Sequence, residues 1–528
     1  MSSKEGKRLI KNSLMVLINN TVLMLGTWFI SIWVARQLGP SNYGIYNLVL
    51  WVTGTFVWIL GMGLIHATTK FIAEFKGKDE DKNCLPLILF IMKIEVVLSI
   101  PITILLLFFR SSISNFFFTP NESIYFLLAF IGIVPGILTA IFSATIEGIQ
   151  KFEYFTISNL IITPLSFASK AYVLYTGKGI PGLMMVMLIF SFVNVAFYFC
   201  VLRREGMFKG RGTPLSKEVK GRISRYNRSV LLILMCDKVV WDKSENFFLG
   251  RYSSSVELGY YNLGYNLARK FVTILPLTFW KVLFPAMSGY FGSGDSRKMK
   301  KVFNLSTRYL AFFTFPIGAA GAILSFELIK YLYGYEFLGA QRVLQIIFIV
   351  SAITSLSQPG SAILYGYEKQ QFIFKYGSIL AVLNIVINFF LIRSFGALGA
   401  AFSYATISLM GSIGGLIYTC RTMKLNYPFV PLFKILFSTI IMSMVMVLTI
   451  EKDASVLGLA MSVSAGFITY LACSVSLGSF YPEDIALLNS AKAAFPGKSK
   501  LLIDLFISIL SQLKNQNFQE EVNRSEFK

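Results

Sequence analysis

Lys238, Asp242 and Glu245 stand at i, i+4 and i+7 in one stretch of the chain, a spacing that puts all three on one face of a helix. Asp237, Trp241 and Lys243 adjoin them. The next stretch carries Asn262, Asn266, Arg269, Lys270 and Lys281, and two earlier apolar stretches carry Lys93 with Glu95, and Lys170. An ionisable group at the centre of a bilayer costs about 2.5–3.5 kcal/mol on insertion scales, so each of these is a functional candidate. Cations outnumber acids in the set, which suits a cavity for an anionic ligand. Lys281, Lys270, Arg269, Lys238, Lys170 and Lys93 are therefore candidates for anion binding, and Asp242, Glu245 and Asp237 for cation coupling. A plainer reading of Lys238 and Asp242 is that they neutralise each other. It fits Lys281 and Lys170 less well, because neither has an acid nearby in sequence. Lys170 and Arg269 can also snorkel to an interface. On one continuous helix Lys270 and Lys281, eleven residues apart, align, with Arg269 about 100° away.

Enzymatic signatures are missing: the chain has no HExxH, GxSxG or GxxxxGK[ST], and no cysteine/histidine cluster. No cofactor or metal and no enzymatic activity are expected. His66 is the one histidine, and Cys84, Cys200, Cys236, Cys420 and Cys473 have no paired spacing, so apolar packing is their expected role.

The elements that hold these residues are membrane helices. Of 528 residues 55% are hydrophobic and 14% charged, and apolar runs of about twenty residues recur from end to end. About fourteen spans are expected, near 12–35, 44–68, 85–109, 122–146, 155–175, 180–202, 228–250, 261–288, 303–326, 337–364, 372–392, 397–420, 428–450 and 455–478. The first is read as an uncleaved span. The net charge of +22 follows topology. Roughly two-thirds of the 49 Lys and Arg fall on the side shared by both termini, with about eight opposite. That asymmetry makes both termini cytoplasmic and removes nucleic acid as a partner. Pro276 and Pro285 are expected to bend the eighth span. In the tail, Leu502, Leu505, Phe506, Ile509 and Leu513 share a helical face, as an amphipathic helix on the inner leaflet would.

An internal repeat organises the chain. Gly44-Ile-Tyr46-Asn47-Leu48 returns as Gly259-Tyr-Tyr261-Asn262-Leu263, and Phe75 with Asp79 as Phe291 with Asp295. Gly148-Ile-Gln-Lys151-Phe152 resembles Gly366-Tyr-Glu-Lys369-Gln-Gln-Phe372, and Gly179 with Gly182 returns as Gly396 with Gly399. The offset, about 215 to 220 residues, covers six spans, so the copies are parallel, a transporter architecture. The fold class is thus an all-α polytopic membrane protein with two parallel six-helix lobes around a central cavity plus two C-terminal helices. The expected divisions are 1–205, 206–425, 426–480 and a cytoplasmic tail over 481–528.

Several stretches resemble Wzx-type polysaccharide and O-antigen flippases: ARQLGPSNYGIYNL, GLIHATTKFIAEFKGKDE, EGIQKFEYF, WDKSENFFLGRY with LGYYNL, FPAMSGYFGSGD and YLYGYEFLGAQRVLQII. The resemblance covers about residues 10 to 425. It implies the multidrug/oligosaccharidyl-lipid/polysaccharide exporter fold, alternating access, and a lipid-linked (polyprenyl phosphate or pyrophosphate) oligosaccharide as substrate in the cytoplasmic membrane. By the same analogy Asp242 and Lys243 match an acid–base pair near the end of the seventh span. Membrane lipids, a polysaccharide polymerase and glycosyltransferases are the further partners it suggests. Rival readings are a peptidoglycan-precursor flippase or drug/cation antiporter of the same fold, a non-transporting scaffold, and a membrane-embedded glycan-transferring enzyme.

Overall fold

The computed structural model describes residues 3–61, 63–117, 122–208, 214–450, 455–479, 481 and 484, with side chains from residue 26 onward except 228–230, 232–234, 236–237, 239 and 241. The expected amphipathic helix around Leu502–Leu513 lies outside these residues. All regular structure among them is helical. Among the described residues nine helices are long and apolar enough to cross a membrane, or eleven if two bent pairs each count as one span.

In chain order the first helices are α1 (Ser3–Leu60), α2 (Leu64–Gly77), α3 (Cys84–Phe108), α4 (Arg110–Phe117), α5 (Ser123–Ile131), α6 (Ile133–Gly148), α7 (Glu153–Tyr175) and α8 (Gly179–Arg204). Then come α9 (Lys217–Trp241), α10 (Glu245–Tyr252), α11 (Ser255–Val272), α12 (Ile274–Ser293), α13 (Ser296–Ile323) and α14 (Ser325–Leu332). The last are α15 (Gln341–Thr354), α16 (Gln358–Gly366), α17 (Gln370–Met423), α18 (Phe429–Thr449) and α19 (Val456–Ser476). At 54 residues α17 would be roughly 81 Å long if straight, far beyond a hydrocarbon core of about 30 Å. Non-helical backbone at Gly396 (φ 52°, ψ −127°) divides it, and Gly39 (φ 70°, ψ 172°) divides α1 likewise. Counting those halves separately and adding the polar α9 would bring eleven to the expected fourteen.

The chain sorts into two compact units, one of residues 1–263, 329–340 and 374–407, the other of 264–328, 341–373 and 408–528. In the first, one end gathers the turns around 36–44, 253–260, 331–336 and 397. Arg36 donates to the Tyr331 carbonyl (3.1 Å), the Ser41 and Ser255 hydroxyls meet at 2.7 Å, and Tyr260 donates to the Glu336 carbonyl at 3.2 Å. The Ala397 N–H donates to Glu257 Oε2 at 2.7 Å, a carboxylate at the start of the second half of α17, where free N–H groups favour it. Elsewhere in this unit Arg222 donates to Glu74 at 2.8 Å, Lys78 donates to Glu74 at 2.7 Å, and Glu205 accepts from Tyr154 and pairs with Lys151. Apart from the local Lys78–Glu74 pair, each of these joins turns that the Lys/Arg pattern puts on the same side of the membrane.

The repeat is realised in local geometry. Gln150 and Glu368 both turn through the left-handed region (φ 57° and 55°), ending α6 and α16 in the same way. Gly148 packs α6 on α2, where an added Cβ would lie 2.7 Å from Ile72 Cβ. Gly366 packs α16 on α12 beside Met287 and Ser288, and Ser288 stands 216 positions after Ile72. In the first unit, α1 crosses α11 glycine against glycine. A Cβ on Gly44 would lie 1.9 Å from the Ser255 carbonyl oxygen, and one on Gly259 2.1 Å from that of Pro40. A shift of 215 positions exchanges Gly44 with Gly259 and Pro40 with Ser255, so the crossing is two-fold in character. Asn47 donates to the Tyr43 carbonyl (2.7 Å) and its counterpart Asn262 to that of Leu258 (3.0 Å).

The eighth span is bent, as its prolines lead one to expect, though at one of the two only. α11 and α12 meet at Thr273 with a bend of 51°, four residues before Leu277 and one turn before Pro276. Pro276 has no N–H for the Val272 carbonyl and its ring crowds that group, which accounts for the break. Pro285 sits inside α12 without ending it.

Candidate functional site

The seventh span, expected as one helix near 228–250, is broken. α9 stops at Trp241, Asp242 leaves helical geometry (φ −116°, ψ 63°), Lys243 is left-handed (φ 51°), and α10 starts at Glu245. Asp and Ser compete for backbone hydrogen bonds and weaken a helix there, and a left-handed non-glycine costs of order 1–3 kcal/mol. The break therefore corrects the single-face arrangement of Lys238, Asp242 and Glu245. Lys238 and Asp242 form an ion pair, with side chains 14% and 52% exposed, and the Lys238 ammonium lies 5.3 Å from the Trp58 ring centre. Glu245, past the break, is 3% exposed. Asp237 falls outside the described side chains.

What surrounds the break is an amide-rich cluster. Lys243 Nζ donates to Asn262 Oδ1 at 3.3 Å, and Asn262 Nδ2 donates to Asn246 Oδ1 at 2.9 Å. On the other side Ser244 Oγ donates to Asn384 Oδ1 at 2.9 Å, and Asn388 Nδ2 donates to Ser244 Oγ at 3.3 Å. Asn246, Asn262, Asn384 and Asn388 are all buried. Trp51 Nε1 donates to the Asp242 carbonyl at 3.1 Å, taking up a group the break frees. Asn384 Nδ2 and Asn388 Oδ1 have no hydrogen-bond partner among the described residues, leaving one donor and one acceptor for a ligand. Amide and hydroxyl oxygens beside a buried carboxyl suit a small cation or sugar hydroxyls.

Charge alone did not single out Ser244, Asn246, Asn384 and Asn388. The signal available was Asn384 and Asn388 at i, i+4 inside an otherwise apolar run, VLNIVINFF.

The proposed anion-binding cations are distributed. Lys93 is exposed on α3, and Lys170 is partly buried on α7 with its ammonium 5.9 Å from the Phe167 ring centre. In the second unit Arg269 donates to Tyr265 and lies 5.1 Å from its ring centre. Lys270 is partly buried on α11, and Lys281 is exposed on α12. The bend at Thr273 lies between these two lysines, so the alignment expected of one straight helix does not hold.

The fold and sequence have known counterparts. A solved structure of the lipid II flippase MurJ, in an inward closed conformation, matches 88% of this chain and 98% of its own with a TM-score of 0.71 at 16% identity. An inward-facing multidrug resistance MATE family transporter of the MOP superfamily matches 76% of this chain and 94% of its own with a TM-score of 0.65 at 14% identity. These share the fold, a multi-pass membrane protein. Among curated sequences, the teichuronic acid biosynthesis protein TuaB of Bacillus subtilis (strain 168) is 25% identical over 178 residues, 34% of this chain. The match spans 36% of TuaB. A family model described as "Polysaccharide biosynthesis protein" matches residues 33–342, more than half of the chain and including the broken helix with both copies of the Gly-x-Tyr-Asn-Leu repeat. The chain belongs to that polysaccharide biosynthesis protein family.

Proposed function

We propose that this protein moves an anionic lipid-linked oligosaccharide from the cytoplasmic to the outer leaflet by alternating access between two six-helix lobes, 1–205 and 206–425. The observation that carries the reading is the broken seventh helix with its buried amide cluster, in a chain of a polysaccharide biosynthesis family. Irregular backbone at membrane depth is tolerated where it lines a polar site, and discontinuous helices are how transporters build such sites. Lys281, Lys270, Arg269, Lys238, Lys170 and Lys93 replace the lost hydration of phosphate and glycan acids while the lipid tail stays in the bilayer. Asp242, Glu245 and Asp237 couple movement to a cation. Both termini are cytoplasmic, and a polymerase and glycosyltransferases act beside the protein.

Depletion in the native host tests this. Lipid-linked glycan accumulating out of reach of externally added periodate is the expected result. Lys281→Ala should reproduce it in inserted, folded protein, Lys281→Arg should keep part of the export, and Asn384→Leu should abolish it. Glycan that reaches the outer leaflet normally on depletion would sink the flippase reading and favour a scaffold. Normal export by Lys281→Glu would remove the anion-binding role from α12.

A further inference from the structure

Glu95 lies midway along α3, fully buried, and neither carboxyl oxygen has a hydrogen-bond partner among the described residues. One and two turns on, Ser99 (1% exposed) and Thr103 (7%) are in the same condition. Helical serines and threonines usually donate back to the carbonyl four residues earlier. Thr68, Thr139 and Thr145 on the neighbouring α2 and α6 do so, at 2.8–2.9 Å. Ser99 and Thr103 do not. The buried face of α3 is otherwise apolar, with Leu87, Ile88, Ile91 and Leu106, so the three polar side chains form a track about 12 Å long within it.

Among the described residues no charged neighbour answers Glu95. The helices packed on α3 are chiefly α6, α2 and α5, with α1 and α4 at its edges. On α2, Lys76 pairs with Asp81, Glu74 with Lys78 and Arg222, and Lys70 lies 4.1 Å from the Tyr226 ring centre. Glu147, at the end of α6, interacts with Thr69 and His66. Arg110 on α4 donates to the Leu107 carbonyl at 3.0 Å, and Tyr46 on α1 donates to Met187. Lys220 reaches α3 only over the Phe90 ring (5.4 Å), Tyr125 on α5 and Tyr43 on α1 bring phenol hydroxyls rather than cations, and Lys93 on α3 itself is on the exposed side. An ionised carboxylate in such a place is held only at a cost of several kcal/mol, which one bound proton removes.

We propose that Glu95 is a proton-binding site, with Ser99 and Thr103 extending its polar track along α3. The carboxylate takes one proton at an Oε atom and becomes a neutral acid, and no other bond changes. Ser99 and Thr103 hydroxyls both donate and accept, but each stands about 6 Å further along the helix, so a water between them would be needed to pass the proton on. The site is separate from the amide cluster, and proton binding there stands without the flippase reading.

The test is infrared difference spectroscopy of the full-length protein in lipid nanodiscs, titrated between about pH 5 and 9 with protons as the only ligand. The titrating carboxylic-acid stretch should lose one carboxyl's intensity in Glu95→Gln and keep it in Glu218→Gln. The double variant Ser99→Ala with Thr103→Val should move the midpoint of the band and retain it. Should Glu95→Gln fail to insert, Glu95→Asp keeps an acid in place and must shift the band's frequency. Identical spectra for the wild type and these Glu95 variants overturn the proposal. So does a Glu95 band that is constant across the range, or one that responds to added sodium chloride and not to pH.

Discussion

The Lys238–Asp242 pair is the point at which a plain electrostatic account and a functional one make different predictions. It is partly exposed, so as an ion pair it contributes about 0.2–1 kcal/mol. Asp242→Asn should therefore leave thermal stability in detergent nearly unchanged while lowering export more than abundance. If the acid only neutralises Lys238, the double variant Lys238→Met with Asp242→Leu should export at the wild-type level, and that rescue would end the coupling role. A second charged group is open to a pH test. Hydrogen bonds from Lys78 and then Arg222 hold the Glu74 carboxyl below its ordinary range. A depressed carboxyl contributes stability that is present above its unfolded value and lost as pH falls through the folded one. Arg222→Ala should thus lower the melting temperature at neutral pH, with the difference from wild type closing below about pH 4. A difference that persists unchanged in acid would assign the effect to packing against Phe71, over which Arg222 also lies at 5.4 Å.

Among the helices, the repeat marks where backbone must approach backbone. Gly44 and Gly259 are needed because a side chain at either would occupy the partner's carbonyl oxygen. Gly44→Val should cost about 1–3 kcal/mol by overpacking. Gly54→Ala, in the same helix with nothing within 4 Å, should stay within about 0.5 kcal/mol. Comparable melting temperatures for the two variants would show that the crossing is not tightly packed in the membrane. The two broken spans had different visibility. Pro276 announced the bend of the eighth, because a missing N–H acts wherever the residue stands in a helix. The break at Asp242–Ser244 was not announced: the stretch is too charged for hydropathy to mark a span, and the repeat and the flanking loops called for a continuous helix. It persists because Trp51, Asn262 and Asn384, from three other segments, bond to the residues in the break.

For the whole molecule, sidedness is the property to measure. In a background without the five native cysteines, a cysteine at Lys217 should be protected from impermeant maleimide in intact cells and one at Ser254 should react. The reverse labelling would invert the topology and with it the direction of transport. Membrane character, helical class, the parallel repeat and the family were legible in the order of residues, because each depends on local composition and on spacing along the chain. Proline added the bend at Pro276 for the same reason, acting through its own missing N–H, whereas the kinks at Gly39 and Gly396 are seen only in the structure. Partnership was not legible in that way. Burial of Asn384 and Asn388 beside Ser244, isolation of Glu95, and separation of Glu245 from Asp242 depend on residues up to 191 positions apart in the chain. A linear pattern carries the helical period but not which face another helix covers, so the tertiary packing alone decides which polar groups are satisfied and which remain to bind a ligand.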